Sequence, residues 1–201
     1  HVTGAGGPEQ ALNRLCLWAS EERFRVDVHL LQGLCNVREA SARLSKIADI
    51  CICEITEMAR LDMLRRYGQL PEEQFAVIGL GRLGSQQLTS VSDLDLMFVY
   101  DSTSNTRSDG QQTLEAGVYY NKLSQLIISW LSVQTAKGRL FDVDTRLRPE
   151  GKSGSLAIHI HRLSAYFTSE AWPWEYCAFL KARTIDTGTT FITSVQQTLL
   201  N

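Results

Sequence analysis

Phe75-Ala-Val-Ile-Gly-Leu-Gly-Arg-Leu-Gly84 runs into Ser85-Gln-Gln-Leu-Thr-Ser-Val-Ser92 and then into Asp93-Leu-Asp-Leu-Met-Phe-Val-Tyr-Asp101. Two short apolar runs bounded by turn formers, Phe75–Gly79 and Leu94–Tyr100, have the pattern of buried strands. The glycines match G-x-G-x-x-G, and Asp101 stands where a dinucleotide-binding fold places its ribose-binding acid. Spacing alone therefore leaves a nicotinamide (NAD)-binding oxidoreductase open. The connection argues against it. Ser85–Ser92 is shorter than the roughly 10 to 12 residues that a crossover between parallel strands needs, and Thr89, Ser90, Val91 and Ser92 are poor helix formers. The expectation is a short turn that returns antiparallel. Backbone amides at Gly84 and Ser85 would then stand open to a phosphate, or the glycines serve only to make a tight connection.

Outward from this centre, Ser102–Gly110 reads as a polar loop and Glu115–Val133 as a helix, with a third strand over Leu140–Thr145. Upstream, from Pro8 to Tyr67, apolar residues recur at three- and four-residue spacing, as in Leu44, Ile47, Ile50, Ile55, Met58, Leu61 and Leu64. That spacing predicts two or three helices, one of them starting at Asn36, whose side chain can accept from the first-turn amides with Glu39 three residues on. Downstream, His159–Thr168, Glu170–Thr184 and Thr190–Leu200 read as helices. The order predicts an α/β (α+β) protein: a mixed sheet flanked by helices with an N-terminal helical region, divided as residues 1–72 and 73–201. The opening HVTGAGG lacks an initiator methionine and reads as a cloning scar or disordered lead on an excised piece.

The acids supply the chemistry. Side chains two apart on a strand point the same way, so Asp93 and Asp95 share one side while Leu94 and Leu96 face the core. Two carboxylates held together repel unless a cation neutralises them, and Mg²⁺ takes hard oxygen ligands together with substrate phosphates. Asp142 and Asp144 form a second such pair, and one of them could complete a three-carboxylate cluster for two metal ions. Periodicity does not choose between them. Arg146 and Arg148 would present two guanidinium groups able to clamp phosphate oxygens, or to pair with these aspartates.

Composition narrows the class. With 44% hydrophobic and 21% charged residues in 201, the chain is no disordered tail, collagen-like rod or disulfide scaffold. A net charge of −2 provides no global positive field, which argues against nucleic acid as partner. No apolar run reaches the roughly 18 residues of a membrane span, so no membrane association and a cytoplasmic location are expected. Cys51 and Cys53 lack a second cysteine pair or a nearby histidine and read as buried thiols, not zinc ligands.

Taken together, G-L-G-R-L-G-S, S-D-L-D-L, D-V-D-T-R-L-R-P-E-G-K-S-G-S-L and E-A-W-P-W-E-Y-C-A-F-L-K-A-R resemble the glutamine synthetase adenylyltransferase/deadenylylase family, over about Phe75 to Arg183. The resemblance implies a nucleotidyltransferase fold of the DNA polymerase β type, with ATP as substrate, Mg²⁺ as cofactor and glutamine synthetase as protein substrate. It implies a fragment of a larger bifunctional enzyme of nitrogen assimilation, regulated through a PII-type signalling protein. Residue by residue it implies that Gly84 and Ser85 form the phosphate loop, Asp93 and Asp95 the metal-binding pair and Asp144 the third carboxylate. It further implies that Arg146 and Arg148 bind triphosphate and that Ser92 donates to a phosphate or helps the turn. Trp172, Trp174 and Glu175 would have core and helix-packing roles. Within the family the S-D-L-D-L and Trp-containing strings lean toward the half that attaches AMP, with the half that removes it by phosphorolysis as the alternative. Arg82, Ser85-Gln86 and Gln87 depart from the usual family residues.

Overall fold

The computed structural model describes residues 7–71, 74–103, 105–149, 151, 154–185 and 195. Two long helices come first, α1 over Pro8–Leu31 and α2 over Val37–Tyr67. Proline at the first position of α1 gives up no intrahelical bond. The start of α2 is a reciprocal cap: Asn36 Oδ1 accepts from Glu39 N–H at 3.0 Å, while Glu39 Oε2 accepts from Asn36 N–H at 3.1 Å. Asn36→Ala removes the first of these bonds and should cost about 1 kcal/mol. Thermal unfolding should register a fall of about 2–4 °C; an unchanged midpoint would show that packing alone sets the start of α2.

The remaining elements are β1 (Gln74–Gly79), the single-turn helix α3 (Gly81–Gly84), β2 (Leu94–Asp101), α4 (Ala116–Ser132) and β3 (Val143–Asp144). After them come β4 (Ala157–His159), α5 (Ile160–Ser169), α6 (Pro173–Phe179) and β5 (Arg183–Ile185). The sheet has five strands in the order β3-β2-β1-β5, with β4 also on β2. β1 is antiparallel to both β2 and β5, whereas β3 and β4 run parallel to β2. The antiparallel β1–β2 pair excludes a dinucleotide fold, in which these strands lie parallel.

Both central strands read as unbroken apolar runs because both faces are covered. Phe75, Val77, Leu94, Leu96 and Phe98 join α1, α2 and α4 in one core, while Ala76, Ile78, Met97 and Val99 join Ile158, Ile160 and Leu163 in a second. The first core passes without a break from Leu15 and Ile52 of the helical hairpin into the sheet. At its centre Tyr120 stacks on Phe75 with ring centroids 5.5 Å apart, and Phe75 lies 5.9 Å from Phe98.

Three expectations are corrected. The third strand is confined to Val143–Asp144, which pairs with the first two residues of β2, while β4 takes the same edge from Phe98 onward. The helix expected over Glu170–Thr184 is the shorter α6, after which the chain extends as β5 and covers the open edge of β1. Trp172 and Trp174 do not enter a core: they are 67% and 61% exposed, and Phe179 packs inward instead. Glu175 does bind its own helix and α5, accepting from Trp172 N–H at 2.8 Å and from the Tyr166 hydroxyl at 2.7 Å. The helix expected over Thr190–Leu200 lies outside the described residues. No helix among the described residues is long and apolar enough to cross a membrane.

Candidate active site

The glycine turn and the first acids of β2 meet where β1 ends. Leu80 N–H donates to the Asp95 carbonyl at 2.9 Å, which ties the turn to the strand. Gly81 has φ +51°, and a Cβ there would lie 2.2 Å from Asp95 Oδ2. Only glycine permits both the left-handed backbone and the carboxylate seated against it. Gly84 is demanded for a different reason: its Cβ would lie 2.0 Å from the Lys181 carbonyl oxygen.

The amides expected to face a phosphate are engaged inside the turn. Gly84 N–H donates to Leu80 O at 2.8 Å and Ser85 N–H to Gly81 O at 3.1 Å, because the glycines wind into α3 and do not form an open nest. The Ser85 hydroxyl donates to Gly81 O at 3.0 Å and lies 3.4 Å from Gln87 Oε1. Gln87, one of the departures from the family pattern, therefore touches Ser85 directly. Ser92 closes its own turn, its hydroxyl accepting from Thr89 N–H at 3.0 Å.

Asp95 opens β2 with Asp93 just before the strand, and β3 lies alongside. In the β2–β3 ladder Asp95 is the register partner of Asp144. Asp95 is half-buried, and its carboxyl is raised above the usual range, first by burial and then by the charges of Asp93 and Asp144, against an opposing pull from Arg146. Asp93 and Asp144 line one open cleft with Val143, Thr145 and Arg146. Asp142 also borders it, but its carboxylate turns to Arg139, at 2.7 Å in an exposed pair. Tertiary structure thus sets Asp144 beside Asp95, a choice that periodicity left open.

The two arginines part company. Arg146 is exposed and binds Asp144, with Nε 2.7 Å from Oδ2, so each group supports the charge of the other. Arg148 is only 8% exposed and turns into its own loop. Its Nε donates to Ser155 O at 3.2 Å, its Nη2 to Gly154 O at 3.2 Å and its Nη1 to Thr145 Oγ1 at 2.9 Å. Both arginines border the cleft, but because β3 ends at Asp144 and strand alternation ends with it, they do not present their guanidinium groups alike. Arg148 organises the loop that leaves the site.

Asp93, Asp95 and Asp144 offer hard oxygen donors whose mutual repulsion a cation would relieve. Among the described residues no three His, Cys, Asp or Glu side chains yet converge at metal-holding distance, since Asp144 is turned onto Arg146 and Asp95 rests against Gly81. The donor set suits a hard divalent cation in kind and charge.

Two groups at this site escaped the sequence reading. Asp49 of α2 and Arg183 of β5 form a bidentate pair beside α3, at 2.9 and 3.1 Å. The one signal was a lone acid between Ala48 and Cys51 on an apolar helix face. Asp101, the candidate ribose acid, lies at the far end of β2, where it accepts from Ser102 N–H at 2.8 Å.

The family model for glutamate-ammonia ligase adenylyltransferase matches residues 2–198. A bifunctional glutamine synthetase adenylyltransferase/adenylyl-removing enzyme from Brucella suis is 36% identical over 189 residues, covering 94% of this chain and 19% of the relative. Proteins of the same description from Mesorhizobium japonicum and Rhodopseudomonas palustris are 38% and 32% identical, over 90% and 98% of the chain and 19% and 20% of the relatives. The chain spans about a fifth of the length of the curated relatives it matches. A match that runs through the helical hairpin as well as the acid-bearing strands leaves one assignment: the chain belongs to the glutamate-ammonia ligase adenylyltransferase family.

Proposed function

We propose that this chain is a nucleotidyl-transfer unit that moves AMP from ATP to a tyrosine hydroxyl of glutamine synthetase. The observation that carries the reading is the in-register facing of Asp95 and Asp144, with Asp93 beside them, at the lip of the glycine turn. Mg²⁺ would be held by Asp93, Asp95 and Asp144, and supplies charge neutralisation for the departing pyrophosphate. Arg146, exposed above Asp144, provides a guanidinium for the triphosphate. Gly84 and Ser85 shape the turn against which the nucleotide lies.

In this reaction the tyrosine oxygen bonds to the α-phosphorus as the bond to the pyrophosphate oxygen breaks, and the phenolic proton passes to the Asp144 carboxylate. Holding the reactants in line supplies much of the acceleration, because positioning replaces an improbable encounter. The Trp172-to-Glu175 string supports the attaching direction through its resemblance to that half of the family. We place the reaction in the cytoplasm, with a PII-type protein acting through parts of the relatives that lie outside this span.

Titration calorimetry of ATP into the chain, with and without Mg²⁺, tests the site. Mg²⁺-dependent binding is expected, and a folded chain that binds no ATP would refute it. Assays on glutamine synthetase then fix direction. AMP incorporation from ATP supports the proposal, whereas orthophosphate-dependent release of ADP from adenylylated glutamine synthetase, without incorporation, assigns the chain to AMP removal.

A further inference from the structure

Three segments that lead into the site are tied to the helical hairpin. Arg23 of α1 donates from Nη1 to Leu140 O at 2.9 Å and lies 4.8 Å from the Phe141 ring centre, on the approach to β3. The Ser90 hydroxyl, in the connection that leads to Asp93, donates to Asp27 of α1. The turn itself is reached from α2. Asp49 accepts from both terminal nitrogens of Arg183, and Arg183 Nη2 also donates to the Leu83 carbonyl of α3 at 3.2 Å.

α3 is one turn long, and a helix of that length has no stability of its own. Its placement must come from contacts outside it. Apolar packing of Leu83 fixes its depth but not its rotation, whereas a planar guanidinium held in two bonds by a carboxylate is directional. Asp49 is only 9% exposed, so the carboxylate has little water to fall back on, and the pair holds Arg183 at one angle.

We propose that Asp49 is a positioning residue: through Arg183 it sets the glycine turn, and with it the Gly81 seat of Asp95, from the helical hairpin. The functional consequence rests on the nucleotidyl-transfer reading above; the structural consequence does not. In Asp49→Ala, amide exchange at Gly84, Ser85 and Gln87 should accelerate about tenfold or more while α4 amides such as Ile127 and Leu131 keep their protection. Arg183→Lys keeps the charge, loses the two-bond geometry and should do the same more mildly. In both variants the KM for Mg-ATP should rise about tenfold with kcat less affected.

Turn protection equal to wild type, or loss shared equally by α4, would overturn the proposal. So would an unchanged KM in a variant with a loosened turn. If the unaltered chain fails to use ATP, the functional reading falls, and the exchange experiment still decides the role of Asp49.

Discussion

Asp95→Asn should abolish the proposed AMP transfer, by about 100-fold or more, while leaving the protein at least as stable as wild type at pH 7. The two effects share a cause. Folding places the Asp95 carboxylate in a half-buried seat beside Asp93 and Asp144, which raises its pKa above the ordinary 3.8. A raised carboxyl pKa means that the folded state binds this proton more tightly than the unfolded chain. Its contribution to stability therefore falls as pH climbs from 3.8 through the folded value, and the full penalty persists above that. Asparagine removes the charge and the penalty together. The stability difference between variant and wild type should vanish at low pH and grow toward neutrality. Denaturant unfolding from pH 4 to 8, run beside a transfer assay, measures both. Retained transfer would remove Asp95 from the reacting centre, and a variant weaker than wild type at pH 7 would refute the electrostatic account.

Gly84→Ala should cost about 3 kcal/mol, which lowers the unfolding midpoint by roughly 10 °C. The added methyl would meet two backbone atoms, Lys181 O at 2.0 Å and Gly79 O at 2.7 Å, and neither can swing aside as a side chain would. Either α3 shifts away from the end of β1 or the Lys181 strand approach is lifted off, and with it the pairing of β5 along β1. Both movements pass to Asp95 through the turn, so transfer should fall with stability. Calorimetric unfolding gives the number, and a midpoint within about a degree of wild type would mean that the close approach of Lys181 contributes nothing to the fold.

Much of the architecture was legible because it is local. The capping pair of Asn36 and Glu39 lies within one helical turn, and the structure shows both of its bonds. The apolar runs at Phe75 and Leu94 announced strands buried on both faces, and the eight residues between Gly84 and Asp93 were too few for anything but an antiparallel return. Where an element owes its existence to a distant partner, local pattern misled. Arg183–Ile185 continues a stretch with helical character, yet it extends because β1 has an open edge. The tryptophans at 172 and 174 look like core residues by type, yet the short helix that bears them turns Phe179 inward and leaves them in solvent.

The same division governs the site. Sequence by itself marked the acids at the start of β2, since strand alternation is a property of the backbone, and through family resemblance it marked the class of chemistry to expect. Resemblance pointed to Asp144 over Asp142, but tertiary structure supplies the physical reason, because register between β2 and β3 is a relation between two segments 49 positions apart. It alone decided that Arg148 is buried against its own loop while Arg146 stays exposed, although both border the cleft, because alternation lapses where β3 stops. And only the packed molecule brings Asp49 to Arg183 across 134 positions, because a buried charge finds its partner in space, wherever the chain happens to carry it.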